Sequence, residues 1–278
     1  MVVNEKTQIN ILSMSKNIEN IILATENLTI GYPHKKANFE VQKNLNLNLK
    51  SGTLTCILGN NGIGKSTLLR TIAGMQKALS GDVFIHKKNS INYSPVSLSK
   101  HISLVLTEAL PPSNLSVYEL VALGRQPYTN WLGKLTDLDK EIIAKALKQT
   151  QVTTLAPKKI HELSDGQKQR VMIARALAQN TDIIILDEPT VHLDIHHKIA
   201  ILKLLNNISK TLNKSILIAT HEVNFALQLA DELWLMYPDK CIIGPPKSLI
   251  KNNTLQELFK SNLIKFDENS RHFNIVNT

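Results

Sequence analysis

The chain has 278 residues, 43% hydrophobic and 20% charged, with a formal net charge of +9. That is enough to bury a sizeable core, and the balance is ordinary for a globular protein. No apolar run reaches the ~18 residues needed to cross a bilayer. The net charge of +9 allows contact with anionic lipid or nucleic acid, but the basic pairs Lys35-Lys36, Lys87-Lys88 and Lys158-Lys159 are scattered and read as solvated faces, and no nucleic-acid partner is expected.

Residues 1–20 alternate polar and apolar positions without a hydrophobic signal core and read as a leader, a short strand or a loose tail. Residues 22–58 and 81–106 read as strands and turns, an antiparallel lobe around a glycine-rich loop. Cys56 and Cys241 fall in apolar strand-like runs and read as buried thiols of a reducing compartment. The loop is Gly59-Asn60-Asn61-Gly62-Ile63-Gly64-Lys65-Ser66-Thr67, between the apolar run TLTCIL and the helix-like LLRTIAGM. Strand, glycine turn and helix in that order make a phosphate-binding loop. Gly59, Gly62 and Gly64 let its N–H groups face phosphate where a side chain would block approach. Lys65 is placed to reach the β- and γ-oxygens of a nucleoside triphosphate, and the Ser66 hydroxyl to ligate Mg²⁺.

Residues ~113–181 are mainly helical by periodicity. Within them, Leu163-Ser164-Asp165-Gly166-Gln167 leads into QKQRVMIARALA, so a helix opens at about residue 166. A helix start with a serine hydroxyl and a glycine is an anion site. Ser164, Gly166 and Gln167 thus form a second phosphate half-site, and two half-sites in one chain imply that two copies close around nucleotide. From residue 182 strands and helices alternate, which implies βαβ units and a parallel sheet. The run Asp182-Ile183-Ile184-Ile185-Leu186-Asp187-Glu188 is a doubly buried strand ending in two acids. Beyond the C-terminal ends of such strands ligands bind, which places Asp187 in the Mg²⁺ shell and Glu188 on the attacking water. His221 closes the apolar strand SILIAT at the same edge, whereas His196-His197 lies on a polar helical stretch without metal-ligand spacing. The C-terminal stretch reads as two short helices and a closing strand.

From about Ile22 onward these motifs, in kind, order and spacing, closely resemble an ABC transporter ATPase subunit. The resemblance implies one ABC ATPase domain over 21–278: an α/β fold with a P-loop NTPase (RecA-like) core, an antiparallel β lobe and an inserted helical lobe at about 113–181. It implies ATP and Mg²⁺ as cofactors, Tyr32 as the adenine-stacking aromatic, and a D-loop at Val191-His192-Leu193-Asp194. His221 then contacts the γ-phosphate and holds Glu188 and water in line. The signature reads LSDGQ where LSGGQ is commonest. Thr107 stands where the family carries a glutamine that contacts Mg²⁺, and the neighbouring Glu108 is an alternative. The stretch Gly124-Arg125-Gln126-Pro127-Tyr128-Thr129-Asn130-Trp131-Leu132-Gly133, with Asp139 beyond it, is similar to importers of ferric siderophores, haem and cobalamin. The implied partners are a second ATPase subunit, integral membrane permease subunits and, indirectly, a substrate-binding protein, at the cytoplasmic side of the cell membrane. Iron–siderophore import stands first, haem or cobalamin import next. A non-transport soluble ABC ATPase, as in iron–sulfur assembly, would share every ATP residue.

Overall fold

The structure, a computed structural model, describes residues 20–107, 113–259, 264–267 and 272–275; the leader and Glu108 lie outside the described residues. Its strands are β1 (Ile21–Tyr32), β2 (Phe39–Leu45), β3 (Asn48–Lys50), β4 (Leu54–Leu58), β5 (Ser80–Ile85), β6 (Lys88–Asn89), β7 (Ile102–Val105), β8 (Ile183–Asp187), β9 (Ser215–Ala219), β10 (Glu232–Met236), β11 (Cys241–Gly244), β12 (Ile264–Asp267) and β13 (His272–Ile275). The helices are α1 (Lys65–Ile72), α2 (Pro95–Leu98), α3 (Val117–Ala122), α4 (Asp137–Gln149), α5 (Asp165–Ala178), α6 (Ile195–Leu212), α7 (Val223–Leu229), α8 (Pro246–Lys251) and α9 (Thr254–Leu258).

The central sheet runs β11-β10-β4-β9-β8-β7. All its pairings are parallel except that of β11 with β10. Every residue of β4, β8, β9 and β10 is buried, which is why these strands are continuous apolar runs. Side chains alternate faces along a strand. Leu54, Cys56, Leu58, Ile184, Leu186, Ile216 and Ile218 therefore join one core with α3 to α7. Ile57, Ile183, Ile185, Leu217, Trp234 and Met236 join a second core with α1 and β1. Each such fully buried aliphatic contributes roughly 1.5–3 kcal/mol.

The antiparallel lobe is β2-β1-β5-β6, with β3 also on β1. Here one expectation is corrected: 22–58 and 81–106 are not one lobe, because β4 and β7 leave it for the parallel sheet. Chain order grouped them with their neighbours, but their apolar residues need cover on both faces, which an antiparallel lobe with one wet face does not offer. The closing strand, β12, pairs with β13 in a separate two-stranded sheet.

The helical lobe, α3 to α5, is inserted between β7 and β8. Each of its helices starts with a reciprocal capping box: Ser116 with Glu119, Thr136 with Asp139, and Ser164 with Gln167. The lobe is pinned inside by Arg125. Its Nε donates to Asp139 Oδ1 at 2.8 Å, its Nη1 donates to the Ala178 carbonyl at 2.8 Å, and its guanidinium lies 4.0 Å from the Tyr128 ring centroid. Both charged side chains are 5% exposed or less. Removing either partner strands a buried charge, so Arg125→Ala is expected to cost about 3–5 kcal/mol in a denaturant melt. The Thr136 hydroxyl first, then its backbone and Arg125, hold the Asp139 carboxyl below the usual carboxylate range. That stabilisation is present above the unfolded-state pKa and is lost as pH falls through the folded one, so Asp139→Asn should flatten the acid limb of the stability profile.

Candidate nucleotide site

Four neighbouring strands deliver the site from one edge of the sheet. β4 runs into Gly59, β7 into Thr107, β8 ends at Asp187 before Glu188, and β9 leads through Thr220 to His221. The positions named from the sequence at this edge are thus brought together by parallel topology alone.

The loop after β4 turns at Gly62 (φ 76°) and Gly64 (φ 107°), left-handed conformations that a side chain would strain. Their surroundings differ. A Cβ on Gly62 would meet nothing within 4 Å, whereas one on Gly64 would lie 2.4 Å from Val41 Cγ1 and one on Gly59 2.9 Å from the Met236 carbonyl oxygen. Of the three, Gly62 opens outward, while Gly59 and Gly64 are in addition required by packing against the protein itself. Gln42, which the sequence did not single out, fixes the loop from outside. Its buried Nε2 donates to the Ile63 carbonyl at 3.2 Å and to the Tyr237 carbonyl at 2.8 Å. No sequence signal marks it: in FEVQKNL it falls on the polar face with Glu40 and Asn44, yet it is buried.

Lys65 crosses the loop, with Nζ donating to the carbonyls of Gly59 at 2.9 Å and Asn60 at 3.2 Å. Burial pushes its pKa down, while Glu188 and Asp187 pull the other way. It is therefore a strut of the loop that a phosphate can recruit by exchanging two carbonyls for charged oxygens. Tyr32, at the end of β1, is half-exposed and its hydroxyl lies 3.2 Å from Thr67 Oγ1, which seats an aromatic ring beside the loop's helix. Asn60, Asn61 and Ile63 complete the loop between these anchors.

Ser66 Oγ donates to Asp187 Oδ1 at 3.0 Å. Asp187 is buried, and that burial, more than any neighbour, pushes its carboxyl up; Ser66 works against the rise and Glu188 adds to it. A desolvated carboxylate beside a hydroxyl and a second acid is a set of hard oxygen donors, which fits Mg²⁺. Thr107 Oγ1 donates to the Asp187 backbone carbonyl at 2.7 Å, so its proton is already used and only its lone pairs face outward chemistry.

Glu188 breaks the strand. It takes φ 48°, unusual for a residue with a side chain, while its N–H still donates to the Ala219 carbonyl at 2.9 Å. Its Oε1 lies 2.6 Å from His221 Nε2, with both side chains partly exposed. A carboxylate held by an imidazole at the mouth of the site can accept a proton from a water in line with phosphate.

The signature residues form a separate surface. Ser164 caps α5, its Oγ accepting from the Gln167 N–H at 3.4 Å while Gln167 Oε1 accepts from the Ser164 N–H at 3.1 Å. The helix begins at Asp165, one residue before the expected Gly166. Asp165 is turned to Lys168 at 3.2 Å and is 70% exposed at its side chain. Asp194 caps α6, accepting from the His197 N–H at 2.9 Å and meeting His197 Nδ1 at 2.6 Å. That ring packs on Gly166, where a Cβ would lie 2.4 Å from His197 Cδ2. His197, on a stretch that reads as polar helix, thus couples Asp194 to the signature of the same chain. Among the described residues, no hydrogen bond joins residues 164–167 to residues 59–67.

Comparison with known proteins agrees with this geometry. The family model described as ABC transporter matches residues 42–191. The iron(3+)-hydroxamate import ATP-binding protein FhuC of Bacillus subtilis is 35% identical over 243 residues, covering 87% of this chain and 86% of its own. A chain of an inward-facing ABC transporter of metal-chelate type superposes with a TM-score of 0.77 at 29% identity, covering 93% of this chain and 98% of that one. An ATP-binding cassette solved as a dimer in a post-hydrolysis state with ADP and Pi gives a TM-score of 0.69 at 28% identity, over 81% and 98% of the two chains. The site and the comparisons lead to one conclusion: this chain belongs to the ABC transporter family, as one of its ATP-binding ATPase subunits.

Proposed function

We propose that two copies of this chain close head-to-tail on two ATP molecules and that hydrolysis drives import of an iron–siderophore complex through a membrane permease. One observation supports the composite site: among the described residues, the α5 start at Ser164 makes no hydrogen bond to the Lys65 loop of the same chain. A second copy completes the pocket. Tyr32 stacks on adenine, residues 59–67 hold the phosphates, and the partner's signature caps the γ-phosphate. Ser66 and Asp187 hold Mg²⁺, whose charge offsets that of the phosphates. Glu188 takes the water's proton, His221 orients it, and Asp194 positions His197 against the signature. No helix among the described residues is long and apolar enough to cross a membrane. In this reading the chain works as a peripheral subunit on the cytoplasmic face because it docks on the permease there.

Two surfaces support a permease contact. Trp131 and Leu132, 91% and 67% exposed, lie on the helical lobe. A groove lined by Met75, Leu98, Leu104, Leu106, Met172 and Arg175 runs between the lobes. Leu104 and Leu106 lead directly to Thr107 and hence to the Asp187 backbone, so a segment seated there can act on the metal ligands. Thr107→Val is therefore expected to lower permease-stimulated ATPase more than basal ATPase; an unchanged ratio removes Thr107 from the relay.

The similarity to an iron(3+)-hydroxamate importer and to a metal-chelate transporter supports ferric chelate as cargo. Reconstituted with its permease and external binding protein in vesicles, the chain is expected to drive ATP-dependent uptake of a ferric hydroxamate. Uptake of haem or a corrinoid instead, or ATPase activity indifferent to every permease, would assign it elsewhere.

A further inference from the structure

At the edge of the parallel sheet opposite the nucleotide, His86, His101 and Asp182 converge. Their ligand atoms all lie within 4.8 Å of one another. They arrive from three separate stretches. His86 sits in the tight β5–β6 turn at φ 49°, followed by Lys87 at 63°, and its N–H donates to the Ile22 carbonyl at 2.9 Å. His101 directly precedes β7 and Asp182 directly precedes β8. The Ile183 N–H donates to the His101 carbonyl at 3.1 Å, locking those two strand entries together, and the Ser215 N–H donates to the Asp182 carbonyl at 2.9 Å.

The side chains are held as well. His86 Nε2 lies 3.2 Å from Asp182 Oδ2. The His101 ring is fixed edge-on between His86, at 5.3 Å between centroids, and Tyr93, at 5.1 Å. Tyr93 is itself anchored by its hydroxyl, which donates to the Ile85 carbonyl at 3.1 Å. A simple His86–Asp182 ion pair would account for two of the three residues. It leaves unexplained a second imidazole, backed by an aromatic ring and facing the first.

We propose that His86, His101 and Asp182 form a binding site for a Zn²⁺-class divalent transition metal. Two imidazoles and one carboxylate suit Zn²⁺, Co²⁺, Ni²⁺ or Fe²⁺, whereas Mg²⁺ and Ca²⁺ prefer all-oxygen sets. Three protein ligands leave a coordination position for water. The bound ion joins the β5–β6 turn of the antiparallel lobe to the entries of β7 and β8. Those same two strands carry Thr107 and Asp187 at their far ends, so the metal braces the lobe against the sheet that holds the catalytic residues. This inference does not rest on the cargo or on transport.

The test uses the full chain without a histidine tag, with Zn²⁺ as probe in excess Mg²⁺. Equilibrium dialysis and thermal melts compare the parent with His101→Ala, His86→Asn, Asp182→Asn and, as a control, the remote His34→Ala. Asparagine tolerates the left-handed turn, so His86→Asn keeps the fold even if His101→Ala does not. The expected result is one tightly bound Zn²⁺ lost in each site variant but not in the control, together with loss of the Zn²⁺-induced rise in Tm. Equal stoichiometry and affinity across all variants, or no binding by the parent, would overturn the proposal.

Discussion

Glu188→Gln will lower ATP hydrolysis by at least about 100-fold, in line with the 10²–10⁴-fold contribution of a positioned general base, while ATP remains bound. Glutamine preserves the shape of the side chain and can still hydrogen-bond His221 Nε2, which lies 2.6 Å from the carboxylate. It cannot accept the water's proton. The strained φ of 48° is a backbone property and is unaffected, so the fold around Ala219 stays as it is. Steady-state phosphate release and nucleotide titration on the same sample separate the two effects. Hydrolysis within a few-fold of the parent would take Glu188 out of the proton transfer.

Lys65→Ala is expected to fail one step earlier. A charge-assisted hydrogen bond contributes about 1.5–3 kcal/mol, so losing the ammonium weakens ATP binding by roughly 10- to 100-fold. A second consequence follows from the place of Lys65 in the loop, where it also bridges the Gly59 and Asn60 carbonyls. Removing it leaves those carbonyls without their donor and lowers Tm even in the absence of nucleotide. A phosphate ligand acting only on bound ATP would shift the titration and leave that melt unchanged, so the two readouts distinguish strut from ligand.

The strand ends and helix starts gathered at the candidate site were legible in the sequence because such patterns are local. A phosphate loop, a strand ending in acids and a helix start with Ser and Gly are short contiguous patterns, and parallel topology then brings strand ends together without further instruction. Long-range contributions were not visible. Gln42 reaches Tyr237 across the fold, and nothing in FEVQKNL marks that partner. His197 lies in a polar run, yet its ring fills the space that Gly166 leaves. The division between lobes was misplaced at β4 and β7 for the same reason. Strand membership is decided by which face needs cover, and chain order carries no such information. Arg125 and Asp139 belong to a recognisable sequence pattern, but that they form a buried pair also tied to Ala178 is a fact of packing.

In the proposed dimer neither chain owns a complete pocket. Sedimentation of Glu188→Gln with saturating ATP and Mg²⁺ tests it most directly, with Ser164→Arg added as a second substitution for comparison. A species of twice the mass of one chain carrying two ATP is expected, as is its disappearance when arginine blocks the signature although ATP still binds. A hydrolysis-dead chain that holds ATP and Mg²⁺ yet sediments as a single copy at high concentration, with its permease present or absent, would contradict it.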